Sequence, residues 1–194
     1  GYYSGHGNSA NAHSPGVNNV GIGYQSFFSF ISGSYNVAVG GNALFNNQHG
    51  QYNVAIGQGA GDHATGSYNT FVGGKAGEGG QTSAPYSSGQ YNVAMGYQAF
   101  DAFTTAEYNT VIGNNAGSAV TTGDQNVLLG AGAGFSLTTG QYNTIVGVDA
   151  ANTHTDVNNI VAIGWQAGRY VEADGTIAIG YQALTMGDVA SNDR

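Results

Sequence analysis

Apolar residues fall on alternate positions in short stretches that return along the chain: NVAVG (36–40), NVAIG (53–57), NTFVG (69–73), NVAMG (92–96), NTVIG (109–113), NVLLG (126–130) and NTIVG (143–147). Each is rich in β-branched residues, opens at an Asn and closes at a Gly, which predicts a short strand between turns. With the closing Gly as anchor, the series runs Gly7, Gly23, Gly40, Gly57, Gly73, Gly96, Gly113, Gly130, Gly147, Gly164 and Gly180. The intervals are 16 or 17 residues, except for 23 between Gly73 and Gly96. Other columns keep the same beat. Ala stands three after the anchor in every unit but the second, which has Ser26; Asn stands four before it from Asn19 to Asn143. The opening GYYSGHG is a degraded first copy.

A unit this short holds one supersecondary element and cannot bury its own apolar face, so the units must stack. The expected fold is all-β: a parallel β-solenoid (β-roll) of about eleven 17-residue coils. Each coil would carry a strong strand, a turn after the anchor, a weaker strand and a Gly turn. Coils ~4.8 Å apart make a rod roughly 50 Å long. The repeat fills residues 1–194 as a single domain, with an insertion loop at about 79–90 and a C-terminal tail at 185–194.

Alternation divides each strand between two faces. Pairs one and three before the anchor, such as Val37/Val39, Val54/Ile56 and Val93/Met95, are read as the coil interior. The column two before it, Ala38, Ala55, Phe71, Ala94, Val111, Leu128 and Ile145, is also apolar throughout. A strand apolar on both faces is buried on both. This second column is therefore expected to be covered by a copy of the same chain, its small residues suiting close approach at an axis. The Asn column shares its parity and makes the turn, the favoured reading, or forms side-chain ladders, the two roles being compatible.

Composition narrows the function. Charged residues are 7% of the chain, the formal net charge is −8, and only Lys75, Arg169 and Arg194 are basic. Nucleic-acid partners need basic patches to meet phosphates, so none is expected. No apolar run approaches the length of a membrane span. Cys is absent, which excludes disulfides and thiolate metal sites.

The NVAIG run, with Ala three residues on and a TG or SG turn beyond, resembles the head repeat of trimeric autotransporter adhesins. YNVAMGYQAF (91–100), IGWQAG (163–168) and IAIGYQAL (177–184) resemble still more closely the YNTAVGYQAL-type arrays of phage tail fibres. The adhesin heads use a shorter period, and the 17-residue unit departs from them. The resemblance implies a left-handed, trimeric β-roll with its first strand on the three-fold axis. VASNDR (189–194) resembles the opening of the intramolecular chaperone that trails many such fibres, implying that the mature segment ends nearby.

No catalytic motif is present: there is no nucleophile elbow, phosphate loop or zinc spacing, and the five His are scattered. No enzymatic activity and no organic cofactor are expected. Asp62, Glu78 and Asp101 stand five after the anchor in three successive coils, a spacing of ~5 Å that suits a Ca²⁺ site or plain solvated turns. Tyr35, Tyr52, Tyr68, Tyr91 and Tyr108 stack in successive coils, and Tyr24, Tyr97, Trp165 and Tyr181 follow the anchor. Such rings seal a corner or dock a sugar, the first being favoured. Receptor contacts are expected at Gln81, Thr82 and Tyr86 of the insertion and at Tyr97, Trp165 and Tyr181. The resulting expectation is a non-enzymatic trimeric extracellular fibre segment, on a virion tail fibre or a bacterial surface, that presents a surface to a host glycan or protein. The rivals are a self-assembling filament subunit, an ice-binding protein and a tailspike depolymerase.

Overall fold

The computed structural model describes residues 16–80, 86–171 and 173–185. Its regular elements are ten three-residue strands: β1 (Val20–Ile22), β2 (Val37–Val39), β3 (Val54–Ile56), β4 (Thr70–Val72), β5 (Val93–Met95), β6 (Thr110–Ile112), β7 (Val127–Leu129), β8 (Thr144–Val146), β9 (Val161–Ile163) and β10 (Ile177–Ile179). They form one sheet in chain order, every pair parallel. The register is column on column, with Val37 opposite Val54, Ala38 opposite Ala55 and Val39 opposite Ile56. This is a β-solenoid with one strand per coil. The weaker second strand is not formed: among the described residues the rest of each coil is turn and bend, apart from a lone Ala64–Ser87 bridge. The degraded first copy around Gly7 and the tail beyond residue 185 lie outside the described residues. No helix among the described residues is long and apolar enough to cross a membrane.

Hydrogen bonding between coils does not stop where the strands do. In one turn the Gly40 and Asn42 amides donate to Ile22 and Tyr24 of the coil before, and the Leu44 and Asn46 amides donate to Ala60 and Asp62 of the coil after. The turn can alternate in this way because it visits the left-handed region at the anchor and again two and four residues later, at φ 131° for Gly40, 58° for Asn42 and 50° for Leu44. The anchor must be Gly for a second reason. A Cβ on Gly113 would stand 2.4 Å from the Gly130 carbonyl oxygen of the next coil.

The two strand faces are inverted relative to expectation. The column two before the anchor is the coil interior: Ala38, Ala55, Phe71, Ala94, Val111, Leu128 and Ile145 are all fully buried within a single chain. It cannot line an axis between chains. The flanking pairs point outward, with Ile56, Met95 and Ile112 exposed by 42%, 40% and 39%. In most coils, Ala55/Gly61 and Ala162/Gly168 being exceptions, a small residue of the inner column makes room for a larger partner six positions on, or the reverse. Ala38 goes with Leu44 and Ala94 with Phe100, whereas Phe71 goes with Gly77 and Leu128 with Gly134. The second half of each coil supplies the opposite wall, including Phe103, Val120 and Leu137.

The Asn column is the ladder, not the turn. The Asn36 Oδ1 accepts from the Asn53 amide at 2.9 Å, and the Asn36 Nδ2 donates to the Gly50 carbonyl at 2.9 Å. The pattern climbs to Asn143, whose Oδ1 accepts from the Ile160 amide at 3.0 Å. Only an amide side chain offers both a donor and an acceptor in this geometry. The left-handed residue is the one before it, for example Tyr35 at φ 58° and Tyr52 at φ 56°. A second ladder was missed in the sequence. Thr104, Thr121 and Thr138 each pass a hydroxyl hydrogen bond to the next Thr carbonyl, at 2.9, 3.2 and 2.7 Å. Its signal was Thr recurring eight after the anchor.

One core position breaks the pattern. Asn47 sits in the column of Phe103, Val120 and Leu137, and neither its Oδ1 nor its Nδ2 has a hydrogen-bond partner. An enclosed, unpaired amide costs about 1–3 kcal/mol. Leu137 occupies the equivalent place three residues before Gly140, so the coil accepts a Leu there. Asn47→Leu is expected to raise the thermal midpoint by about 2–4 °C per kcal/mol recovered, measured by circular dichroism.

Candidate functional site

The most chemically loaded surface lies beside the insertion. Gly80 and Ser87, on either side of the insertion, both stay in the coil ladder. The Gly80 amide donates to Phe103 at 2.8 Å, and Ser87 exchanges hydrogen bonds with His63 and Thr65 of the coil before. Gln81 and Thr82, expected to contact a receptor, lie outside the described residues. Tyr86 sets its ring tilted against His63, with centroids 6.1 Å apart.

Asp62, Glu78 and Asp101 occupy successive coils as the spacing requires, all half-buried. Their backbones fix the stacking: the His63 amide donates to the Glu78 carbonyl at 2.7 Å, and the Gly79 amide to the Asp101 carbonyl at 3.0 Å. The three carboxylates do not converge as one set. The compact group is Asp62, His63 and Glu78, with one ligand atom from each within 4.8 Å of the others. His63 was missed because the five His were compared only with one another; its signal was its place directly after Asp62 of the carboxylate column. Burial pushes the Asp62 carboxyl above its ordinary value, opposed by His63 and reinforced by the Glu78 charge. Burial also raises Asp101, again with Glu78 adding to the effect. The one nearby cation among the described residues, Lys75, reaches Glu78 at 3.2 Å, and that pairing raises its own pKa. Beside this group opens a groove of about 480 Å³ lined by His63, Glu78, Gln98, Asp101, Asn115 and Phe135, among others.

The aromatic columns are ordered but do not form a single site. Tyr35, Tyr52, Tyr68, Tyr91 and Tyr108 stack with centroids 4.9–5.3 Å apart and planes within 6°. Each is about half exposed. Rings stacked face to face cover each other's faces and offer only edges, so the inner members cannot dock a sugar ring. Each left-handed Tyr costs about 1–2 kcal/mol, and stacking of ~0.5–1.5 kcal/mol per pair offsets much of it. Trp165 and Tyr181 stack at 5.0 Å, four coils beyond Tyr97, so the expected receptor residues are not brought together. Thr70, Thr110 and Thr144 stand on the outward face, not inward as read from the sequence, and never in adjacent coils.

The longest continuous feature is the outward face of the sheet. The end residues of β1 to β10 point there, and all but Thr70, Thr110 and Thr144 are apolar; none is charged. The chain matches no protein-family model, no curated protein and no solved structure.

Proposed function

We propose that the chain is a non-enzymatic segment of a homotrimeric extracellular fibre, a phage tail fibre or bacterial adhesin, that carries a host-binding surface. The observation behind this reading is the apolar outer face. Nine steps of ~4.8 Å give a strip about 45 Å long, and at about 15 Å wide it covers roughly 700 Å². That is the scale of one side of a standard protein interface, roughly 800 Å². An uncharged apolar strip of that size marks an association surface. A second copy of the same face is its natural cover, and the three-fold stoichiometry follows from the resemblance of the repeat to trimeric fibre heads. The axis in this reading is lined by Val54, Ile56, Met95, Ile112, Leu129 and their column neighbours. Presentation in triplicate would strengthen weak contacts with a cell-surface glycan or protein.

Sedimentation of the purified chain tests the assembly, and negative-stain microscopy of the same sample tests the fibre. Short rods of three-chain mass are expected. A monodisperse single chain removes the trimer, and long homopolymers favour a filament subunit.

A further inference from the structure

We propose that Asp62, His63 and Glu78 form a binding site for a divalent transition-metal ion of the Zn²⁺ type. The first support is geometric. Two carboxylates and an imidazole bring their ligand atoms within 4.8 Å of one another. The residues come from two adjacent coils whose spacing is locked by the Gly61-to-Ala76 and His63-to-Glu78 backbone hydrogen bonds, at 3.0 and 2.7 Å. The site is thus held by the ladder of the rod and needs no loop to close over it.

The second support is independent of the charges. The Nδ1 of His63 is enclosed and has no hydrogen-bond partner. A buried polar atom without a partner is costly, and an ion bound at Nδ1 would offset that cost. The donor set also chooses the metal. Ca²⁺ takes six to eight oxygen ligands, and Mg²⁺ keeps a strict octahedron of oxygens and waters. One imidazole with two carboxylates suits Zn²⁺, which accepts three protein ligands and leaves a fourth position open. His63 and Glu78 also line the groove, from which a fourth ligand could reach the ion.

Charge balance leaves room for the ion. Lys75 is the only described cation at the cluster, and it meets Glu78 through both oxygens, at 3.3 and 3.2 Å. One ammonium faces Asp62 and Glu78 together, with Asp101 adding a third carboxylate at the groove. Each Glu78 oxygen keeps a further lone pair, so Lys75 and a metal can share it.

Titration calorimetry of the full-length assembly at pH 7.5, with Zn²⁺, Ca²⁺ and Mg²⁺ in turn, tests the site. Zn²⁺ is expected to bind with one high-affinity equivalent per chain and to be preferred over both other ions. His63→Gln and Glu78→Gln should each weaken binding by about tenfold or more, since even outer partners of a metal site contribute that much. Asp101→Asn, outside the ligand set, should leave the affinity within about twofold. Nuclear magnetic resonance of the parent guards against misfolded variants: the ring signals of His63 should move with the first equivalent, ahead of those of His49 and His154. Absence of Zn²⁺ binding overturns the proposal. So does undiminished binding in His63→Gln, equal preference for Ca²⁺, or a first equivalent that moves another His.

Discussion

Ala94→Asp is expected to leave no folded protomer, while Ile112→Lys is expected to keep the coil and lose the assembly. Ala94 is fully buried within one chain, paired in register with Phe71 below and Val111 above. A carboxylate there has no cation and no free donor, because the neighbouring amides are spent in the ladder. Removing an unpaired charge from water costs several kcal/mol even after relaxation. Total stability is typically 5–15 kcal/mol, so one such change takes a large share of it. Ile112 is 39% exposed on the outward face. Its replacement by Lys costs the protomer little, but places an ammonium in the middle of the apolar strip of every copy. Circular dichroism should therefore show a lost β signal for Ala94→Asp and a retained one for Ile112→Lys. Sedimentation should show a lower mass for Ile112→Lys at concentrations where the parent is assembled. The opposite pair of results would mean that the inner and outer faces are exchanged, and an unchanged mass for Ile112→Lys would remove that face from the interface.

The difference between those two residues was not legible in the strand alone. The anchor spacing, the strand positions and the stacking of columns follow directly from recurring Gly, Asn and Ala, because each column answers to one backbone requirement. Alternation also separates the two faces of a strand correctly. It does not say which face is inside when both are apolar. Small residues at Ala38 and Ala94 suggested close approach between chains, yet they stand where Leu44 and Phe100 of the same coil need space, and the room beside Ala55 and Gly61 is taken by Leu44 and Phe71 of the neighbouring coils. The deciding signal lay six residues downstream, where Leu44 and Phe100 answer Ala and Gly77, Gly117 and Gly134 answer Phe71, Val111 and Leu128. The Asn column was misassigned for a related reason. Asn is a good turn residue, but Tyr35 and its equivalents carry the left-handed backbone, which the sequence gives no local reason to expect from an aromatic. At the candidate site the carboxylate column was readable from period alone. His63 stands next to Asp62 in the sequence, but that it also meets Glu78 shows only once the coils are stacked.

Exchange of the two sizes within one coil gives the most direct test of how the core is specified. Phe71→Ala alone removes a buried ring and should cost about 3–5 kcal/mol. Gly77→Phe alone should cost at least as much, because even a Cβ on Gly77 would fall within van der Waals contact of the Phe71 ring. Overpacking of that kind cannot be relieved along the rod, where the Gly73 amide is bonded to Ile56 of the coil before and the Gly80 amide to Phe103 of the coil after. The double variant Phe71→Ala with Gly77→Phe reproduces the pattern of the following coil, Ala94 with Phe100. The backbone accepts it: Gly77 has φ 54°, and Phe100 already holds φ 58° and Phe27 φ 55° as aromatic residues. The introduced ring would also lie one coil from Phe100, which stacks on Phe103 at 5.0 Å. Denaturant unfolding of the four proteins closes a double-mutant cycle. The double variant is expected to be more stable than either single variant, with a favourable coupling of about 2–3 kcal/mol, the upper end for residues in contact. Additive losses would show that the inner column and the left-handed column fill the coil independently, and that their pairing along the sequence has no energetic basis.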